Sequence, residues 1–157
     1  MLSQIDHVNL VVADLEGMTA FYRDALELRV TKEVTISGPW IARVVGLEDG
    51  DNVEADVVYL DLPNGPRVEL IRYRRPAGPT PEQLGRPNTM GLRHLAFKVD
   101  DIDAAVMTMK SRGVEFCSDV QTVPNTQVSY AGGVRKRLVY FHDPEGNLLE
   151  LCEYKAT

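Results

Sequence analysis

Cysteine is scarce in this chain. The 157 residues hold two, Cys117 and Cys152, with no Cys-x-x-Cys spacing. That usage points to reduced thiols in a cytoplasmic protein and away from a disulfide framework. A cationic surplus is also missing. Seventeen Lys and Arg stand against 23 Asp and Glu, a net charge of −6. No broad basic field exists to attract a nucleic acid. No apolar run approaches the roughly 20 residues of a membrane span. The opening MLSQIDHVNL has no basic segment followed by an apolar core, so no secretory signal is expected. The expectation is a cytoplasmic protein without nucleic-acid or membrane partners. Hydrophobic residues make up 44%, an ordinary share for a globular protein. The length suits one compact unit, or two small modules sharing a core.

What the chain does have is repetition. YLDLPNGPRVELIRY, from Tyr59 to Tyr73, recurs as YFHDPEGNLLELCEY, from Tyr140 to Tyr154. At an offset of 81, Tyr59 matches Tyr140, Pro63 matches Pro144, Gly65 matches Gly146, Glu69 matches Glu150 and Tyr73 matches Tyr154. At an offset of 87, IDHVNLVVADL aligns with LRHLAFKVDDI, matching His7 to His94 and Asp14 to Asp101. Each copy therefore carries one His near its start and one Glu near its end. Two copies supply two His and two Glu, a full ligand set for a divalent metal ion.

Each copy opens with a short β-branched run, DHVNLVVA or RHLAFKV, that reads as a strand. Asp14 and Asp101 follow in N-cap position. The first helix gathers Leu15, Met18, Phe21, Ala25 and Leu26 on one side; the second gathers Ile102, Ala105, Val106 and Met109. Gly113 suits the C′ position that closes the second. Further strands are expected near Leu28 to Ile36, Asp56 to Leu62 and Arg67 to Tyr73, then Val114 to Cys117, Arg137 to His142 and Leu148 to Tyr154. Pro63-Asn64-Gly65 and Pro144-Glu145-Gly146 are turns. The order is β-α-β-β-β, twice. This gives an α+β fold of two βαβββ modules, residues 1–74 and 91–157. A proline-rich linker spans 75–90. Ser37 to Ala55 and Ser118 to Lys136 lack clear periodicity and read as loops, the places where substrate contacts usually sit.

Strand alternation puts His7 and Asn9 on one face, and Glu69 with Tyr73 on another. Glu69 and Glu150 lie in apolar contexts, VELI and LLELC. A single such Glu reads as an exposed strand residue. A buried one needs a partner, and a metal ion supplies it. The recurrence of both residue types at equivalent positions favours the metal. His142 precedes an Asp-Pro turn and reads as an exposed turn histidine. Cys152 reads as wall or core. Asn9, on the face of His7, is a candidate substrate contact; Tyr73 and Tyr154 share the faces of the glutamates, as substrate lining or as aromatic strand packing. Arg135 and Arg137, with Lys136 between them, suit either an anionic substrate tail or an exposed strand edge.

Several of these segments together carry a resemblance. They are D-H-V-x-L-x-V-x-D-L, F-Y-R-D-x-L, G-L-R-H-L-A-F-K-V-D-D-I and D-P-E-G-N-L-L-E-L. The chain resembles the vicinal oxygen chelate superfamily, from about Ile5 to Tyr154. That group contains glyoxalase I, methylmalonyl-CoA epimerase, extradiol dioxygenases and the bleomycin- and fosfomycin-resistance proteins. The resemblance implies that each sheet curls into part of an incomplete β-barrel around a metal. His7, Glu69, His94 and Glu150 would be the ligands of a Ni, Co, Mn, Zn or Fe ion. Two open positions would then accept a small substrate through adjacent oxygens. It also implies a homodimer, with the modules pairing within one chain or between two. By likeness to glyoxalase I, Glu150 would serve as base and Glu69 as a second acid–base. The chemistry would be isomerase or lyase proton abstraction beside a carbonyl, through an enediolate or enolate. By likeness to the epimerase, an extra catalytic glutamate would fall near Glu54, which reads better as a loop acid. An Fe(II) ring-cleaving dioxygenase is an alternative. It would use His7, His94, Glu150 and Tyr140, but the histidine expected before that tyrosine is missing. A small-molecule or antibiotic-binding protein is the non-enzyme alternative.

Overall fold

The computed structural model describes residues 1–47 and 52–156. The acidic stretch 48–51, part of the first aperiodic segment, lies outside the described residues. The chain divides into two compact units, Met1–Thr80 and Pro81–Thr157.

In the first unit, β1 (His7–Val11) leads into α1 (Leu15–Ala20), continued by a π-helical turn over Phe21–Ala25. Next come β2 (Arg29–Ser37), α2 (Pro39–Val45), β3 (Glu54–Asp61) and β4 (Arg67–Arg75). The sheet order is β1-β4-β3-β2, with β1 parallel to β4 and the other pairs antiparallel. Asp14 caps α1 by accepting from the Gly17 amide at 3.0 Å. A Cβ at position 17 would lie 2.3 Å from the Asp14 carboxylate as it is placed here, so a larger residue would make that side chain shift. Tyr22 stands four residues after Met18 and seven after Leu15, at the centre of the apolar stripe, and Phe21 stands at its edge. Tyr22 is fully buried, while Phe21, the expected core residue, is only half-buried. Leu15, Met18, Tyr22 and Ala25 cover one face of the sheet, against the alternate residues Val58, Leu60, Val68 and Leu70. Full burial of each large side chain contributes about 1.5–3 kcal/mol.

The second unit repeats the plan with β5 (His94–Lys98), α3 (Ile102–Ser111), β6 (Gln121–Thr122), β7 (Val134–His142) and β8 (Leu148–Ala156). Its order is β5-β8-β7-β6, again with the first and last strands parallel. Asp101 caps α3 through the Ala104 amide at 3.0 Å, and Gly113, at φ +87°, follows its end. Ile102 and Met109 bury against the face of Leu149, Leu151, Val139 and Phe141. Neither four-stranded sheet closes on itself. No described helix is long and apolar enough to cross a membrane.

Three expectations are corrected. Pro39–Val45 is helical, with Pro39 at the helix start, Gly46 in the left-handed region behind it, and Ile41 and Ala42 buried. Val114–Cys117 makes only a bridge from Phe116 to Phe141; the chain then bends, and the strand comes later, at Gln121–Thr122. β7 begins at Val134, three residues before Arg137, because the charged run Arg135–Arg137 pairs fully with Glu153–Lys155.

Candidate functional site

Each sheet has a helix-covered face and an opposite face, and on the opposite face of each lies a glutamate flanked by a His and a Tyr. In the first unit, Glu69 sits mid-strand in β4, opposite Asn9 on one side and Tyr59 on the other. Its side chain is 10% exposed. His7 Nε2 is 3.4 Å from Glu69 Oε2, and Asn9 Nδ2 donates to the same oxygen at 3.1 Å. A hydrogen bond to Glu69, together with burial, pushes the Tyr59 hydroxyl up to about 12. On the far side of the imidazole, His7 Nδ1 lies 2.9 Å from Asp6 Oδ2. A carboxylate only accepts, so Nδ1 carries the proton. Nε2 then faces Glu69 either protonated or as a bare lone pair. A cleft of about 500 Å³ opens beside Asp6, lined also by Asp61, Gly65 and Arg67.

The second unit holds the same trio. Glu150, 2% exposed at its side chain, stands mid-strand in β8 between Ala96 and Tyr140. His94 Nε2 is 3.3 Å from Glu150 Oε2. The His94 and Tyr140 rings meet edge to face at 5.4 Å. Burial, then the hydrogen bond to Glu150, pushes the Tyr140 hydroxyl up to about 12. Lys136 Nζ lies 2.7 Å from Glu150 Oε1, an ion pair without hydrogen-bond alignment at that oxygen. Burial alone would lower the Lys136 ammonium's pKa, but Glu150 more than offsets it, and the group titrates above its ordinary range.

The remaining candidates separate. Tyr73 packs against the apolar clusters around Ile41, Ala42, Ala55 and Val57. Tyr154, 40% exposed, stacks edge-on with Tyr130 at 5.5 Å. Lys136 lies on Glu150's face, so strand alternation turns Arg135 and Arg137 to the opposite, helix-covered face. Arg137 is held there by Asp103 at 2.7 Å and Glu153 at 3.3 Å. Glu54 pairs with Arg74 at 2.8 Å and with Arg75. His142 is exposed; its Nε2 lies 3.2 Å from the Gly85 carbonyl, and its Nδ1 3.7 Å from Cys117 Sγ. Cys152 is buried, and burial pushes its thiol up. Among the described residues, no three His, Cys, Asp or Glu side chains gather into one ion's ligands. Each unit supplies a pair.

Asp6 and Tyr59 complete these clusters without having been singled out as site residues; Tyr140 entered only through the ring-cleavage alternative, and Lys136 only as the middle of the Arg135–Arg137 run. The two tyrosines were visible as matched members of the repeat, and an antiparallel register placing each beside its glutamate would have found them. Lys136 needed the phase of β7. Asp6 has no repeat partner, since position 93 is Arg.

The chain matches the Glyoxalase/Bleomycin resistance protein/Dioxygenase superfamily over residues 4–151. It is 36% identical to the uncharacterized protein YaeR of Escherichia coli (strain K12), across 97% of each chain. It is 29% identical to the mitochondrial methylmalonyl-CoA epimerase of Mus musculus, across 96% of this chain and 72% of that protein. Among solved structures it is similar to a glyoxalase family protein from Bacillus cereus. There the TM-score is 0.78 and the identity 27%, over 98% of this chain and 95% of the other.

Proposed function

The chain belongs to the Glyoxalase/Bleomycin resistance protein/Dioxygenase superfamily, and from that premise we propose a divalent-metal-dependent enzyme that moves a proton on the carbon beside a carbonyl. The observation that carries this reading is the duplicated His–Glu–Tyr cluster. His7, Glu69, His94 and Glu150 would hold the ion, and they fit it chemically. In each unit an imidazole Nε2 faces a carboxylate oxygen at 3.3–3.4 Å. For an imidazole with its proton on Nδ1, two lone pairs then oppose each other, an arrangement a shared cation relieves. Asp6 behind His7 supplies the outer hydrogen bond that fixes such a ligand's tautomer. When bound, the ion would supply Lewis-acid polarisation of the substrate carbonyl.

The chain's own groups do the rest. Glu150 accepts the proton as base, and Glu69 acts as the second acid–base. Inversion at a carbon needs a proton removed from one side and returned on the other, the two roles proposed for Glu150 and Glu69. Tyr59 and Tyr140, whose hydroxyls stay protonated near neutral pH, hold the carboxylates in place. Asn9 adds a second donor to Glu69. The likeness to an epimerase supports this class of reaction; the substrate we propose is a small molecule with adjacent oxygens, and the assembly a homodimer.

The test is solvent exchange under anaerobic conditions. Acyl thioesters substituted at C2, hemithioacetals and 2-hydroxy-carbonyl compounds are incubated with metal-supplied protein in D₂O. Deuterium should enter at the carbon beside the carbonyl, with one equivalent of metal per chain by mass spectrometry. Absence of exchange together with Fe(II)-dependent oxygen uptake on a catechol would replace this reading with ring cleavage.

A further inference from the structure

We propose that Lys136 is a specificity residue that binds a negatively charged group of the substrate, so that the chain selects anionic carbonyl compounds over neutral ones. This rests on the metal-dependent reading above and adds to it the charge of the substrate.

The two half-sites repeat at His, Glu and Tyr but diverge at two positions beside the glutamates. Asn9 on Glu69 is replaced by Ala96 beside Glu150. Lys136, opposite Tyr154, is replaced by Ala55, opposite Tyr73. Glu69 is buried, at 8% exposure, and is held by Asn9, His7 and Tyr59 without any lysine. An enclosed carboxylate in this frame can therefore be held by neutral donors instead of an ammonium. The lysine is an addition specific to the second half.

Charge counting gives it a purpose. Two carboxylates balance a divalent ion, and neutral imidazoles add nothing. Asp6 behind His7 is 71% exposed and screened by water, so among the enclosed groups of the proposed site the Lys136 ammonium leaves one surplus positive charge. Its side chain is only 17% exposed, so water compensates it poorly. Once an ion takes up Glu150, the ammonium loses much of its partner, and an anionic ligand restores the balance. Lys136 is positioned for that exchange. Its Nζ sits 5.8 Å from the Tyr154 ring centre, on the face of Glu150, at the end of a flexible stem. Lys98, opposite Cys152 on the parallel strand β5, adds a second cation that acts on the surroundings of Cys152. An ammonium so placed also stabilises the charge that develops when a C–H proton leaves beside a carboxylate.

The experiment compares pyruvate with its neutral analogue pyruvamide by titration calorimetry. The parent, K136M, K136Q and K136R are each supplied with metal, and metal content is measured separately. The parent should prefer pyruvate by at least about tenfold, about 1.4 kcal/mol. K136M should bring that preference below about threefold while pyruvamide affinity holds. K136Q, whose amide still reaches toward Glu150, gives the same reading if K136M does not fold. K136R should keep most of the preference. A parent-like preference in K136M or K136Q overturns the proposal, because chelation by the metal alone would then explain it. Loss of metal binding in the parent would instead sink the metal reading. In that case pyruvate binding by the metal-free parent, lost in K136M, still supports Lys136, and binding unchanged in K136M refutes it.

Discussion

Replacing Glu150 by Gln in the metal-free protein removes one charge from a nearly closed pair. The Lys136 ammonium, 17% exposed, is left 2.7 Å from an uncharged amide. Breaking one side of a fully buried ion pair costs about 3–5 kcal/mol. Lys136 retains a route to solvent and Gln keeps a carbonyl acceptor for Tyr140, so the expected loss is smaller, about 2–3 kcal/mol. For a chain of this size that lowers Tm by roughly 4–12 °C. K136M should cost as much or more, since it strands a carboxylate that is 2% exposed. The double variant E150Q/K136M should be more stable than the sum of the two losses predicts, with a coupling of at least about 1 kcal/mol. Urea midpoints followed by circular dichroism, after chelator treatment, measure all four proteins. Additive losses, with coupling below about 0.5 kcal/mol, would show that the pair does not hold the half-site together. On the proposed reaction, E150Q should lose turnover far more completely than it loses fold, since it removes both a ligand and the base.

Two further outcomes follow from networks away from the half-sites. Burial pushes the Asp56 carboxyl up, but Arg72, Thr35 and Arg74 at 2.6–2.8 Å more than offset it and hold it below the ordinary 3.8. Its stabilisation is therefore present above pH 3.8 and is lost as pH falls through the lower folded value. D56N should cost roughly 1–3 kcal/mol at neutral pH and flatten the acid limb of the stability curve below about pH 4; parallel acid limbs would refute this. Glu153, 1% exposed, accepts from the Ile102 amide at 3.1 Å and pairs with Lys155 and Arg137 at 2.9 and 3.3 Å, fastening α3 to its sheet. E153Q should cost about 3 kcal/mol, and D103N, at an exposed carboxylate, under about 1; equal urea midpoints for the two would move the fastening role to Asp103.

Local signals with a physical origin in one or two residues were legible in the sequence. Asp14 and Asp101 announce helix starts because a carboxylate three residues before an amide satisfies it in any fold. Gly113 announces a helix end because the left-handed position favours it. The β-branched runs at His7 and His94 announce strands. Register and phase decide the rest. Tyr22 takes the core position in place of Phe21 because it stands four residues after Met18 and seven after Leu15, at the centre of the apolar stripe, with Phe21 at its edge. Pro39–Val45 escapes because seven residues offer barely two turns, with Trp40 and Val44 left exposed. Arg135, Lys136 and Arg137 look equivalent in sequence. Only the start of β7 at Val134 sends the middle one to Glu150 and its neighbours to the other face.

A duplicated chain also divides its positions by what each can report. Where both copies keep the same residue, as with His7 and His94, Tyr59 and Tyr140, or Glu69 and Glu150, the frame or a function shared by both halves accounts for it, and neither copy identifies the substrate. Where the copies differ on the same face, the shared frame cannot be the reason. Three such differences border the half-sites. Asp6 stands against Arg93, Asn9 against Ala96, and Ala55 against Lys136. The first two give His7 and Glu69 hydrogen-bond partners that their counterparts lack. The third gives Glu150 a charge that Glu69 lacks. The first half is thus held by polar contacts that fix geometry, and the second also by a cation. Exchanging the third pair, with A55K in one variant and K136A in another, should move anion preference with the lysine if charge alone sets it. If the preference does not follow, the position of the ammonium relative to Glu150 is the determinant.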